Sequence, residues 1–298
     1  MPKRKIGVIR AILAVFFFFL MNLRVLEPLV EIEATGLPLP VLNCFSMGVF
    51  IIVNRPSSTI VCAMGALQRS IAQGYIPLLT IGVIILIGAI IGRAFCGWVC
   101  PFGLIQEALW RIAGKKNKIK FDLSYVQDAI LLLVIFTVVL KGLVTVAILS
   151  IQLPIYGKII DETFYEGPFC AFCPSATFLI ILPSKMLEVA LTGEISLTPW
   201  AILRLSILAF FIAASLFTPR PFCRWICPLG VLMGYFNKIS LLTIKRDPTK
   251  CIKCDKCLRN CPMKINIIEY ETITSKKCIK CLSCVNVCHK KALSVSIK

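Results

Sequence analysis

Four apolar stretches constrain this chain more than any other feature. They run roughly over Gly7–Val25, Tyr75–Gly92, Ala129–Ser150 and Pro199–Phe217. Each approaches the ~20 residues a helix needs to cross a bilayer. In hydrocarbon every backbone N–H and C=O must be satisfied within the segment, which leaves such stretches only the helix. Apolar residues make up 58% of the chain, above the roughly 45–50% of soluble domains. The sequence therefore predicts an α-helical membrane protein with four transmembrane helices. The first follows Met1-Pro2-Lys3-Arg4-Lys5, which reads like the start of a secretory signal. Its apolar core runs long and no small-residue cleavage site follows, so a retained helix is expected.

Charge orients these helices. The formal net charge is +18. Lys3, Arg4, Lys5 and Arg10 precede or open the first stretch, and Arg93, Arg111, Lys115, Lys116, Lys118 and Lys120 follow the second. With the tail after Pro219, 26 of the 33 basic residues fall on one side. By the positive-inside rule that side is cytoplasmic, with both termini there, in a multi-pass protein of the cytoplasmic (inner) membrane. The basic balance is topology first. No nucleic-acid motif accompanies it, and no nucleic-acid partner is expected.

The chain has 16 cysteines and one histidine. A single histidine excludes a bis-His haem and a two-His iron site. Cys251, Cys254, Cys257 and Cys261-Pro262 form C-x2-C-x2-C-x3-C-P, and Cys278, Cys281, Cys284 and Cys288 repeat it. His289 occupies the place where proline is usual. This is the bacterial ferredoxin spacing, in which three thiolates wrap one side of a [4Fe–4S] cubane and the fourth serves the other cluster. One cluster is expected on Cys251, Cys254, Cys257 and Cys288. The other is expected on Cys278, Cys281, Cys284 and Cys261. Residues 246–298 then read as a small α+β two-cluster ferredoxin domain, cytoplasmic, after a membrane domain over 1–245.

A second pattern is an internal repeat. Arg93-Ala-Phe-Cys96-Gly-Trp98-Val-Cys100-Pro101-Phe-Gly103 aligns with Arg220-Pro-Phe-Cys223-Arg-Trp225-Ile-Cys227-Pro228-Leu-Gly230. Each copy follows a helix returning to the cytoplasm, so the four helices form two parallel pseudo-repeats about an axis along the membrane normal. That axis brings Cys96, Cys100, Cys223 and Cys227 together, as ligands of a third iron–sulfur cluster or as buried structural cysteines. Proline suits the first helical position, so helices are expected to begin at Pro101 and Pro228 with their positive ends toward the thiolates.

The remaining cysteines, Cys44, Cys62, Cys170 and Cys173, fall on the outer side. They fit a fourth cluster, a Cys170–Cys173 redox disulfide of the C-x-x-C-P type, or an inert Cys44–Cys62 disulfide. Lys141 and Arg204 lie inside apolar stretches. They are read as quinone-headgroup or charge-balancing residues, or as side chains snorkelling to the interface. Trp98 and Trp225 fit positions between clusters or at the interface. Pro174-Ser175-Ala176-Thr177 lacks the glycine of a flavin-attachment site and is discounted.

The paired Cys-Gly-Trp-Val-Cys-Pro-Phe-Gly and Cys-Arg-Trp-Ile-Cys-Pro-Leu-Gly elements, followed by the double ferredoxin motif, resemble the NapH-type membrane polyferredoxins. That family includes quinol dehydrogenase subunits of periplasmic nitrate reduction, with relatives in the NosR and methylamine-utilisation systems. The resemblance covers nearly the whole chain. It implies a four-helix membrane anchor, cytoplasmic [4Fe–4S] clusters, and electron exchange with a quinone pool or with redox partner subunits on one or both faces. Met47 stands where broader relatives carry the second cysteine after Cys44. The expected role is an electron-transfer subunit of an oxidoreductase, linking cytoplasmic clusters to quinone or to an outer acceptor or donor. The alternatives are a thiol–disulfide reductant acting through Cys170 and Cys173, and a redox-sensing or assembly subunit.

Overall fold

The computed structural model describes residues 5–22, 63–72, 78–113, 124–150, 169, 172–193 and 199–298. Cys44, Met47, Cys62 and Cys170 lie outside them. The described chain is mostly helical. Its helices are α1 (Lys5–Asn22), α2 (Ala63–Ala72), α3 (Leu78–Ile91), α4 (Ala94–Trp98), α5 (Pro101–Ile112) and α6 (Ser124–Ser150). A short turn at Pro174–Ala176 and a π-helical stretch at Thr177–Ile181 lead into α7 (Leu182–Thr192). Then come α8 (Pro199–Phe217), α9 (Pro221–Trp225), α10 (Pro228–Tyr235), β1 (Leu242–Arg246), α11 (Lys256–Asn260), α12 (Ser283–Val287) and β2 (Leu293–Ile297).

The four apolar stretches fall on α1, α3, α6 and α8. The bounds of α8 are those read from the sequence, whereas α6 begins earlier, at Ser124. Among the described residues, α8 alone is long and apolar enough to cross a bilayer. Its mean hydropathy is 2.1 and only 17% of it is buried, unlike the core helix of a soluble protein. Shorter apolar helical stretches run over Ile6–Phe19, Thr80–Ile91 and Tyr125–Leu140. Bulky side chains on all four, among them Phe16, Leu86, Phe136 and Phe210, are exposed. Helices α2 and α7 lie in segments that the sequence reading leaves as outer loops. Gly193 closes α7 in the left-handed region at φ 72°, the usual glycine stop.

The chain forms two compact units. One comprises Phe18–Ile84 and Ala129–Phe211. Within it α2 meets α6 at a glycine: a Cβ on Gly142 would lie 2.5 Å from the carbonyl oxygen of Ile71. Phe172 packs edge-on against Trp200 at 5.1 Å between centroids. The Arg204 guanidinium lies over the same Trp200 ring, 5.7 Å from its centroid, so this charge within the apolar α8 has an aromatic face beneath it. The side chain of Lys141 lies outside the described residues.

The other unit comprises Met1–Phe17, Ile85–Asp128 and Ile212–Lys298, and holds both Cys-x3-Cys-Pro motifs and the C-terminal lobe. In the lobe β1 pairs antiparallel with β2, from Leu242 opposite Ile297 to Arg246 opposite Leu293. Ile244, Met263, Ile265, Ile273 and Ile279 form its core with Cys261, Cys278, Cys281 and Cys284. Cys96 of the first motif packs on this same core. Between the motifs, the rings of Phe102 and Phe222 meet edge-on at 5.7 Å.

Candidate functional site

The two ferredoxin-type loops share an unusual backbone. Lys253 and Asp255 flank Cys254 with φ of 50° and 55°, and Lys280 and Leu282 flank Cys281 with φ of 46° and 59°. Left-handed conformations cost an L-residue on the order of 1 kcal/mol each. Four at matched positions mark a geometry imposed for the cysteines, turning three thiols of each loop to one side. Backbone N–H groups of Lys264, Met263 and Ile265 point at the Cys261 sulfur, an anion-binding nest.

Two cavities result. The first is lined by Cys261, Cys278, Cys281 and Cys284 among isoleucines. The second is lined by Cys251, Cys254, Cys257 and Cys288. In the first, or proximal, set all four cysteines are only 7–8% exposed. In the second, or distal, set Cys254 is exposed. Burial, reinforced by neighbouring thiols, pushes Cys261 up to about 11. Burial likewise raises Cys278 to about 12 against the pull of the Lys280 backbone. Four thiolates in so dry a cavity require a cationic core to share their charge. Among the described residues, no three Cys, His, Asp or Glu side chains close on a single ion. A cubane takes its ligands at separate corners, and four spaced thiols around an apolar cavity fit one.

The Cys-x3-Cys-Pro motifs start helices as their prolines require. Cys100 and Cys227 are the N-caps of α5 and α10, and each sulfur accepts from a backbone N–H, Gly103 and Gly230 respectively, at 3.4 Å. Burial, then Cys223 and Cys96, raises the Cys100 thiol. Burial raises Cys223, with Arg220 opposing and Cys96 adding to it. Cys96, Cys100 and Cys223 thus lie within one another's electrostatic reach, and Cys227 caps the matching helix.

The motif arginines are exchanged. Arg93 of the first donates to the Cys223 carbonyl at 2.7 Å, and Arg220 of the second donates to the Cys96 carbonyl at 2.7 Å. Both are at most 1% exposed. The motif glycines make room for them: a Cβ on Gly230 would lie 2.6 Å from Arg93 Nη2, and one on Gly103 3.0 Å from Arg220 Nη1. A reciprocal pattern of this kind is what a pseudo-two-fold produces.

Two of the differences between the repeats bear on the lobe. Glu107 has Gly234 as its counterpart in the second repeat, and Gly97 has Arg224. Glu107 accepts from Arg220 Nη2 at 2.6 Å and Arg10 Nη2 at 2.8 Å, and also pairs with Arg111. Burial alone would raise its carboxyl, but Arg220, Arg10 and Arg111 hold it at about 2. At the glycines the C-terminal lobe closes in instead. A Cβ on Gly234 would lie 2.3 Å from the Lys276 carbonyl oxygen, and one on Gly97 2.3 Å from that of Ile279. Arg93 donates to this Lys276 carbonyl at 2.9 Å. Trp98 Nε1 donates to the carbonyl of Lys280 at 3.0 Å. Trp225 Nε1, its counterpart, is buried without a hydrogen-bond partner among the described residues.

Two further residues hold the lobe. Asn237 accepts from the Arg93 N–H at 3.0 Å and donates to the Cys278 carbonyl at 2.8 Å. Lys280 is 2% exposed. Its ammonium donates to Ser240 Oγ and the Leu242 carbonyl, each at 2.6 Å, and to the Ile91 carbonyl at 3.1 Å. Burial pulls Lys280 down to about 8. The sequence marks neither residue. Arg93 and Arg220 are visible in the repeat, but only as matched charges. Of the outer cysteines, Cys173 is described; it precedes the helical turn at Pro174 without a capping bond from its side chain. His289 is exposed and lines the distal cavity.

Known proteins are similar to this chain. A 4Fe-4S binding domain matches residues 73–120 and again 200–246, and a 4Fe-4S dicluster domain matches 243–289. An uncharacterised protein of Methanocaldococcus jannaschii is 29% identical over 245 residues, covering 80% of this chain and 88% of its own. A second from that organism is 30% identical over 214 residues, covering 72% and 68%. The ferredoxin-type protein NapH of Escherichia coli is 27% identical over 244 residues, covering 77% and 72%. No solved structure matches the chain. Two copies of the 4Fe–4S binding domain, set around exchanged arginines and followed by a dicluster domain, make this chain a member of the NapH-type polyferredoxin family of 4Fe–4S electron-transport proteins.

Proposed function

We propose that the chain is a multi-pass membrane electron conduit with its termini and lobe cytoplasmic. Its ligand sets are Cys251/Cys254/Cys257/Cys288, Cys278/Cys281/Cys284/Cys261 and Cys96/Cys100/Cys223/Cys227, with an outer site drawn from Cys44, Cys62, Cys170 and Cys173. Electrons are exchanged with a quinone or an extracytoplasmic partner. One observation carries the reading: Cys96, Gly97 and Trp98 press directly on Ile279 and Lys280, inside the proximal cysteine loop. Cys96 therefore packs on the same core as the proximal cysteines. Bound there, a [4Fe–4S] cluster supplies reversible one-electron transfer. The chain supplies order and insulation. Exposed Cys254 faces solvent, the buried proximal set follows, and the motif cysteines come last, beside helices whose outward-facing apolar side chains suit lipid. Buried Arg93 and Arg220 hold the carbonyls of Cys223 and Cys96 and bring positive charge to a thiolate-rich site.

Iron per chain after anaerobic purification, with EPR, tests this. Three cubanes give about twelve irons and four about sixteen. A value near eight leaves only the lobe loaded and removes the conduit.

A further inference from the structure

We propose that the surface around Cys254 docks a small, acidic, soluble one-electron carrier protein. This rests on the distal cysteine set holding a cluster.

The lobe from Arg246 carries twelve Lys and Arg against four Asp and Glu. Exposed Lys250, Lys253, Lys256, Lys290 and Lys291 belong to the two segments that bear the distal cysteines. The carboxylates there are Asp255 and Asp247, and Asp247 is engaged by Lys250 at 3.1 Å and by Thr249 Oγ1 at 2.6 Å. Between the lysines lie exposed Cys254 and Ile252, the latter 57% exposed. An apolar centre inside a charged rim is the anatomy of a transient protein interface. Its positive field steers an anionic partner to the one cysteine of the lobe's eight that is exposed.

Membrane topology does not account for these lysines. They lie well beyond the roughly 15–20 residues beside a span over which the positive-inside rule operates. An anionic lipid surface would also attract them, but it would seal the exposed cysteine. The proximal set already meets the helix ends, through Gly97 with Ile279 and Lys280 with Ile91. At the contact one electron crosses: the carrier is oxidised by one and the distal site reduced by one, with no bond made or broken.

The test uses the full holo-chain in lipid nanodiscs, with a reduced, acidic plant-type [2Fe–2S] ferredoxin, free of excess reductant, as the probe. The second-order rate of lobe reduction should fall steeply between roughly 50 and 500 mM NaCl. The triple variant Lys250→Glu, Lys256→Glu, Lys290→Glu should lose about tenfold or more of the low-salt rate. Its iron content, its EPR signals and its reduction by photoreduced 5-deazariboflavin, an uncharged reagent, should be unchanged. A salt-independent rate equal in both chains overturns the docking site. So does a variant that keeps the rate but loses binding to phosphatidylglycerol vesicles, which assigns the patch to lipid. A lobe that purifies without iron overturns the conduit reading itself, and this inference with it.

Discussion

Arg220 donates to the carbonyl oxygen of Cys96 at 2.7 Å, reaching from one Cys-x3-Cys-Pro motif into the other. The same guanidinium grips Glu107, so a cysteine backbone and a buried carboxylate depend on one side chain. Arg220→Met leaves Glu107 with Arg10 and Arg111 only. Breaking a buried ion pair costs 3–5 kcal/mol, and the remaining arginines put this case near the low end, about 3 kcal/mol. Thermal unfolding should show the loss. Iron should fall by about four per chain while the lobe keeps its EPR signals. Unchanged iron would detach Arg220 from the cysteine site.

Glu107 carries a pH signature. Its carboxyl is held at about 2 in the folded chain against an ordinary 4.5. A depressed folded value stabilises the fold fully above the unfolded value, and the contribution fades as pH falls from about 4.5 toward 2. Glu107→Gln should be less stable at pH 7, and the gap to wild type should narrow across that window. Comparing the two chains by hydrogen exchange cancels the acid loss of clusters, which both share. A gap constant with pH would contradict the assignment.

Gly97→Ala places a Cβ where the Ile279 carbonyl now lies at 2.3 Å, and backbone cannot step aside cheaply. The lobe should fold and keep its iron but sit farther from the first motif. Weaker magnetic coupling between the proximal and membrane-edge centres, read by EPR, is the expected outcome, with Gly234→Ala acting in the same direction. Coupling identical to wild type would mean that these glycines do not set the approach.

The crossed cysteine sets are separable one at a time. Cys261→Ser should remove the signal of the buried centre and leave the exposed one, and Cys288→Ser the reverse. Each should lower iron by about four per chain. Loss of the opposite signal would invert the grouping that the two cavities suggest.

What is local in this chain is legible in its sequence. Pro101 and Pro228 announce helix starts because a ring without an N–H belongs at the first turn. Pro199 and Phe217 bound α8 because apolar runs between polar ends leave no other choice. Long-range roles are hidden. Glu107 reads as one loop charge among several until Arg10 and Arg220, far off in sequence, are seen to converge on it. Lys280 reads as one more cytoplasmic lysine, yet it is buried and donates to the Ile91 carbonyl. Helices α2 and α7 escape notice because their apolar residues are interrupted by polar ones such as Gln68, Arg69, Lys185 and Glu188, and tertiary packing sustains them.

The unequal pairs, Glu107 with Gly234 and Arg224 with Gly97, bear on where the lobe packs. A twinned motif offers two equivalent landing places for a C-terminal lobe. Side chains occupy one landing place, with Arg10 locked onto Glu107. The other is bare backbone, open to Lys276 and Ile279. Two missing side chains thus give a twinned core a single landing place for its lobe.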